Sequence, residues 1–340
     1  MVPRLQVSFI HAGLLALLLP LLAPAGHAQQ LIRNYGEERT ATTVLGFLKI
    51  GVGARAEGMA QAFVGVADDV SALYWNPGGL GRMDGGAVSF SHLDWPAGIS
   101  YDYLGAVQRL NDRYSVGLAY SQLRTDEMAV TTETHPEGNG QTFYFIDQAV
   151  QLTGCMRMTD QFSVGLSVKY VREDIDDVTM DGWLGDIGTY YRTGWRDMSV
   201  AVSLSNFGGQ FRPGGSHTPN AGDGRPVDYK EASPPTMFRI GSALTVFTRE
   251  EHRVLFSGQI NHPVDNAENY LFGLEYGWME QFFARGGWKF NAGEESWTLG
   301  GGIDFKLNGL GVVLDLSYSD FGILSESKRT SAEFNWGWQP

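Results

Sequence analysis

One cysteine in 340 residues, Cys155, excludes an intrachain disulfide framework and any zinc or iron–sulfur centre held by cysteines. Positive charge is also scarce: 25 Lys and Arg stand against 38 Asp and Glu, a net charge of −13. A protein that grips a phosphate backbone needs a basic stripe, so nucleic acid is excluded as a partner. After residue 28 no run approaches the roughly 18–20 apolar residues of a membrane-spanning helix. Neither H-E-x-x-H nor a G-x-S-x-G elbow occurs. His92, His135, His217, His252 and His262 are scattered over expected loops and strand ends without ligand spacing, and read as solvated. No catalytic, cofactor or metal set follows from the sequence. A Ser–His dyad brought together by neighbouring strands is the one arrangement a linear reading would miss.

Glycine and aromatic residues are plentiful instead. There are 44 glycines, and aromatics make up 12 % of the chain; glycine is about twice its usual ~7 % share.

Residues 1–28 read as a secretory signal, with Arg4 in the n-region, a Leu/Ala run from Ala12 to Ala25, and cleavage after Ala28 in Gly26-His27-Ala28. The run is short and broken by Pro20 and Pro24, which argues against a membrane anchor. With no cysteine at the cleavage point, a lipoprotein anchor is excluded. Cleavage removes one basic residue and no acidic one, and the remaining chain is expected to work outside the cytoplasm.

From about Gly86 the pattern has period two. Phe162, Val164, Leu166, Val168 and Tyr170 alternate with Ser163, Gly165, Ser167 and Lys169; Tyr270, Phe272, Leu274, Tyr276 and Trp278 alternate with Leu271, Gly273, Glu275 and Gly277. One face is bulky and apolar, the other small or polar, with isolated charges such as Lys169, Arg239, Arg285 and Lys306. A secreted sandwich or solenoid would also alternate, but with strands nearer five or six residues. Here many segments reach the length a tilted strand needs to cross a bilayer, and aromatics such as Tyr170, Trp278, Phe305, Phe321, Trp336 and Trp338 stand at segment ends. The reading is an all-β, membrane-spanning antiparallel barrel over 86–340, with about fourteen strands. They are expected near 86–94, 98–110, 113–125, 142–158, 161–173, 181–193 and 196–206, then 236–248, 252–261, 269–278, 281–290, 296–307, 309–320 and 329–338.

Tight connections at Asn111-Asp112, Thr159-Asp160, Gly194-Trp195, Met279-Glu280 and Asn308-Gly309 all fall at one end. Longer polar stretches, Thr125–Gln141, Glu173–Met180, Phe207–Pro235, His262–Glu268 and Gly322–Lys328, fall at the other. This matches short periplasmic turns and long extracellular loops, with both termini periplasmic.

Residues 29–85 break the pattern and are expected to form a hatch inside the barrel. Gly51-x-Gly53-x-x-Ala56 formally matches a dinucleotide fingerprint, but no βαβ alternation follows. Asp68 or Asp69 is placed to cap a short helix through Tyr74 that Pro77 ends by forcing Asn76 extended. Arg55, with Glu57, Asp68 and Asp69 nearby, can either pin the hatch by an ion pair or leave those acids to helix capping. The hatch or gate residues are Arg55, Asp68, Asp69, Asn76, Pro77 and Gly78. Asp174-Ile175-Asp176-Asp177, with Asp181 and Asp186, is the densest acidic cluster; it reads as a solvated loop or, alternatively, a calcium site without the EF-hand pattern.

The Leu-Lys-Ile-Gly-x-Gly-Ala-Arg run at Leu48–Arg55, the Ala-Asp-Asp-x-x-Ala-x-Tyr-Trp-Asn-Pro-x-Gly-Leu run at Ala67–Leu80 and the strands behind them resemble the PorV/PorQ family. That family is similar to FadL-type outer-membrane channels, fourteen-stranded barrels with an amino-terminal hatch. The family's usual Asn-Pro-Ala-Gly-Leu is Asn76-Pro77-Gly78-Gly79-Leu80 here, a glycine expected to loosen the turn. The carboxyl end also departs from the pattern: Gln339-Pro340 follow Trp338 where an aromatic terminus is usual. The resemblance implies a non-enzymatic protein in outer-membrane lipid with a role in type IX secretion. In that role, secreted cargo or translocon subunits dock on the long loops, Phe207–Pro235 above all. The alternative it implies is passive uptake of a hydrophobic small molecule past the hatch.

Overall fold

The computed structural model describes residues 42–176, 178–217, 227–293, 295–307, 309–322 and 326–337. The signal segment with Ala28, residues 29–41, Asp177, residues 218–226 of the longest loop, Asn308 and the end from Trp338 lie outside the described residues.

Fourteen antiparallel strands close into a barrel. They are β1 (Gly86–Trp95), β2 (Ile99–Arg109), β3 (Tyr114–Thr125), β4 (Phe145–Arg157), β5 (Phe162–Ile175), β6 (Val178–Arg192) and β7 (Ser199–Gly208). The second half comprises β8 (Met237–Arg249), β9 (His252–Pro263), β10 (Asn269–Trp278), β11 (Phe282–Phe290), β12 (Trp297–Leu307), β13 (Leu310–Asp320) and β14 (Glu326–Trp336). Each strand pairs with its chain neighbours, and β1 pairs with β14 from Gly86↔Trp336 to Asp94↔Lys328, so no edge is left open.

The side chains are arranged inside out. On β5, Leu166 and Val168 are 57 % and 54 % exposed, while the intervening Ser167 and flanking Lys169 are only 4 % and 5 % exposed. Leu104, Leu118, Leu152, Leu274 and Leu316 are likewise exposed on the outer face. Among the described residues no second sheet covers that face, so the sandwich reading is excluded. A belt of bare leucines beside buried serines and lysines is stable only where the outer solvent is lipid.

The structure corrects the sequence reading at two loops and one cluster; Gly322–Lys328 is shorter than expected, because β14 starts at Glu326 opposite Asp320. Glu173–Met180 is not a long loop: β5 runs to Ile175 and β6 restarts at Val178, with Glu173 opposite Met180 and Asp174 opposite Thr179. Arg172 neutralises Asp174 at 2.7 Å and Thr179 donates to it, so the acidic run stays extended. The acidic cluster is also split. Asp181 accepts from the Tyr170 hydroxyl, whereas Asp186 is buried in the lumen on Lys169 at 2.9 Å. No group of three or more His, Cys, Asp or Glu among the described residues is placed to hold a metal. The end-to-end asymmetry therefore rests chiefly on residues 126–144 and 209–236, since Pro96–Gly98 is short at the same end.

Residues 42–85 thread the barrel from one mouth to the other. Thr43 bridges Ser233 and Lys49 pairs with Asp265 at 2.8 Å, both at the long-loop end. The chain passes through a 3-10 turn (Gly46–Lys49), α1 (Ala54–Gly58), α2 (Ala72–Trp75) and a second 3-10 helix (Pro77–Arg82) before β1 starts at the tight-turn end. The described chain thus begins at the long-loop mouth, and β14 ends at the opposite one beside Gly86.

Substituting Leu166→Arg puts a charge on the outer face in mid-strand and is expected to cost about 2–4 kcal/mol of stability in bilayers. Urea unfolding in lipid vesicles measures it; unchanged stability would contradict lipid on that face.

Candidate functional site

A segment with so little regular structure satisfies only part of its backbone through its own turns, and the barrel wall supplies further partners. Gln259 Oε1 accepts from Phe63 N at 2.9 Å and Val64 N at 2.8 Å; Thr298 Oγ1 accepts from Ala60 N at 2.9 Å. Gln151 Nε2 donates to Leu73 O at 2.6 Å, Ser163 Oγ to Gly78 O at 2.7 Å and Arg157 Nε to Gly81 O at 2.8 Å. These partners sit on β4, β5, β9 and β12, so the plug is held around much of its girth.

The Asn76-Pro77-Gly78 turn is the tightest seat. Asn76 is fully buried and extended at φ −162°, as Pro77 requires; its Nδ2 donates to Thr189 O at 3.1 Å and its Oδ1 accepts from Gly78 N at 3.0 Å. The expectation that Gly78 loosens this turn is corrected: a Cβ there would lie 2.9 Å from Gly188 O, so glycine lets the plug press against β6. On the wall side, a Cβ on Gly165 would collide with Pro77.

The charges form one network. Arg55 reaches Asp68 at 2.6 Å and Asp69 at 3.5 Å on the plug, and Glu275 on β10 at 2.8 Å. Glu275, 1 % exposed, also accepts from Arg285 at 2.7 Å and Arg253 at 3.2 Å, and Arg285 continues to Asp315 at 2.6 Å. Asp69 Oδ1 separately accepts from the Ser71 amide and hydroxyl. The two acids thus divide the expected roles: Asp69 accepts from the Ser71 amide and, through its carbonyl, from Ala72 N at 3.0 Å at the start of α2, while Asp68 serves Arg55. Glu57 does not join Arg55. It meets Lys289 at 3.1 Å, Arg329 at 3.8 Å and Ser319 at 2.8 Å.

Burial alone would raise Asp68, but Arg55 outweighs it and holds the carboxyl below its ordinary value. For Asp69 burial wins, helped by Asp68, and the carboxyl is pushed up. Burial of Glu57 is overridden by Lys289 and Arg329, which bring it down to about 2.

Sequence reasoning placed Arg55, Asp68, Asp69, Asn76, Pro77 and Gly78 in the hatch, and the structure brings the first three together and seats the last three on β5 and β6. It missed Glu275, Arg253 and Asp315 as partners. Their signal was present: Glu275 stands at a lumen-facing position of the Tyr270–Trp278 alternation, where a charge must find an opposite. At the tight-turn end the network borders a cavity of about 350 Å³, lined among others by Arg55, Asp69, Arg285, Asp304 and Glu333.

A closed barrel with an apolar exterior, a polar lumen and a plug tied to the wall is an outer-membrane β-barrel protein. This chain belongs to the PorV family: the family model described as type IX secretion system protein PorV matches residues 33–264. Solved structures share the fold. The CymD monoaromatic hydrocarbon channel is 14 % identical with a TM-score of 0.58, over 85 % of this chain and 98 % of that one. The Ralstonia pickettii toluene transporter TbuX is 14 % identical, TM-score 0.52, over 84 % and 97 %. A Pseudomonas aeruginosa FadL homologue is 10 % identical, TM-score 0.52, over 85 % and 98 %. At such identities the likeness is one of fold. No curated protein sequence matches the chain.

Two outcomes test the network. Glu275→Gln leaves three guanidinia short of negative charge and is expected to cost about 3–5 kcal/mol, read as a lower urea midpoint and earlier proteolysis of residues 42–85. Because the Glu57 carboxyl is lowered from its ordinary 4.5 to about 2, its stabilisation is complete above pH 4.5 and disappears as pH falls toward 2. Protease access to the plug should therefore rise over that window, and Glu57→Gln should flatten this part of the profile.

Proposed function

We propose that this protein is a docking barrel of type IX secretion: its long-loop face receives exported cargo or a translocon subunit while its lumen stays shut. The observation that carries this is the plug, tied by hydrogen bonds and the Arg55–Glu275–Arg285 network to many strands, in a chain of the PorV family. In this reading Arg55, Asp68, Asp69, Asn76, Pro77 and Gly78 form a lock, and the mature chain follows cleavage after Ala28. The tight turns and carboxyl end face the periplasm, as the connection lengths support.

The docking surface is the loop Phe207–Pro235. Its base is built in: Phe211 is buried, bridges Ala232 and lies over Gly182, and Arg212 pairs with Glu231 at 2.7 Å. A rigid base under a polar loop suits recognition. Uptake of a hydrophobic small molecule is the rival. It is disfavoured because the cavity beside the plug is lined by charges, and because the Asn76-Pro77 turn would have to leave seats cut to fit it.

Deletion of residues 212–231, with the Phe211 and Ala232 ends joined by a short linker, tests this. Co-purification with translocon subunits or with cargo bearing the type IX carboxyl-terminal signal should be lost, while the heat-dependent gel shift of a closed barrel persists. Flux of a hydrophobic solute through vesicles, abolished by a disulfide tying plug to wall, would overturn the proposal.

A further inference from the structure

We propose that the cavity at the tight-turn end is a binding site for a linear primary-amine polycation of the polyamine class. This inference stands apart from the docking reading. The cavity has about 350 Å³ of space, room for a small organic molecule, and opens past Asp84 and Glu280, whose side chains are 42 % and 62 % exposed. Carboxylates outnumber guanidinia around it seven to four.

The guanidinia are already committed. Arg55 serves Asp68, Asp69 and Glu275; Arg285 serves Glu275 and Asp315; Arg253 serves Glu275 and Glu280; Arg82 donates to Val66 O at 2.8 Å. Each of the four therefore already has a carboxylate or carbonyl partner. The carboxylates are not all matched. Glu333 uses one oxygen on Val70 N at 3.0 Å, and Asp304 has no side-chain hydrogen bond or ion pair among the described residues. Burial, with Asp68 beside it, keeps Asp69 above its ordinary range although Arg55 is close.

Strand register places the unmatched groups in a row. Asp304 lies opposite Val313, Val313 opposite Glu333, and Glu333 opposite Ser89 across the β14–β1 closure. Ser89 is 8 % exposed, lines the cavity, and has no partner for its hydroxyl among the described residues. A buried hydroxyl facing open space beside spare carboxylate oxygens is an acceptor set waiting for N–H donors. No group of three or more His, Cys, Asp or Glu among the described residues converges to hold a compact metal ion. Acceptors strung along a row suit a chain of ammonium groups.

The test is calorimetric titration of spermidine into the full-length protein in detergent at low salt, with magnesium alone as the comparison. Saturable spermidine binding is expected, weakened about ten-fold or more by Asp304→Asn with Glu333→Gln, and a few-fold by Ser89→Ala. Glutamine still accepts from Val70 N, and Asp304→Asn alone at the rim remains informative if the double variant loses its gel shift. Absent saturation, unchanged affinity in Asp304→Asn, or magnesium displacing spermidine at equal concentration would overturn the site.

Discussion

Everything in this molecule depends on mutual satisfaction between a polar inner wall and an irregular plug. A barrel of this width turned inside out by lipid must face its serines, glutamines, lysines and arginines inward, where water is scarce and unpaired charge is costly. A plug built from alanine, glycine and single helical turns carries the complementary deficit, amides and carbonyls without a ladder. Gln259 taking two plug amides and Glu275 taking three guanidinia show the trade in its simplest form. Remove either partner and the other is left with buried polar groups short of a partner. Wall and plug are for this reason one cooperative structure.

The wall was legible in the sequence because its code is local. Ser163, Gly165, Ser167 and Lys169 between Val164, Leu166 and Val168 define the two faces without any tertiary information. Misreadings arose where the local code is ambiguous. Acidic residues at Glu173–Met180 look like loop, yet Arg172 and Thr179 neutralise Asp174 within an extended pair. Asp186 belonged by spacing to that cluster and by parity to the lumen, where Lys169, diagonal to it on β5, takes its charge. The plug's partners were harder to read. Arg55 and Glu275 are separated by 220 residues, and only closure of the sheet brings them together.

Glycine does different work in the two halves. In the plug it permits turns; in the wall it cuts seats. Gly165 and Gly188 are bare where Pro77 and Asn76 press in, so the fit is steric as well as polar. A gate that swings needs slack at its hinge and water at its face. At the Asn76-Pro77-Gly78 turn, Asn76 is buried and its side-chain amide bonds both its own segment and β6.

The same architecture serves proteins described as hydrocarbon channels, which shows how little the fold fixes the use. What differs between uses is where the free energy of the lumen is placed. Here the closing contacts are buried ion pairs and bonds to successive wall strands, whose simultaneous loss would cost far more than one small apolar ligand can return. With the lumen committed to stability, the surfaces left to vary are the two mouths: a broad loop face with a fixed base at Phe211, and a charged recess behind the plug. On the docking proposal, a partner would meet the loop face on a body whose interior is cross-linked by the plug, so force at the mouth would be spread over many strands.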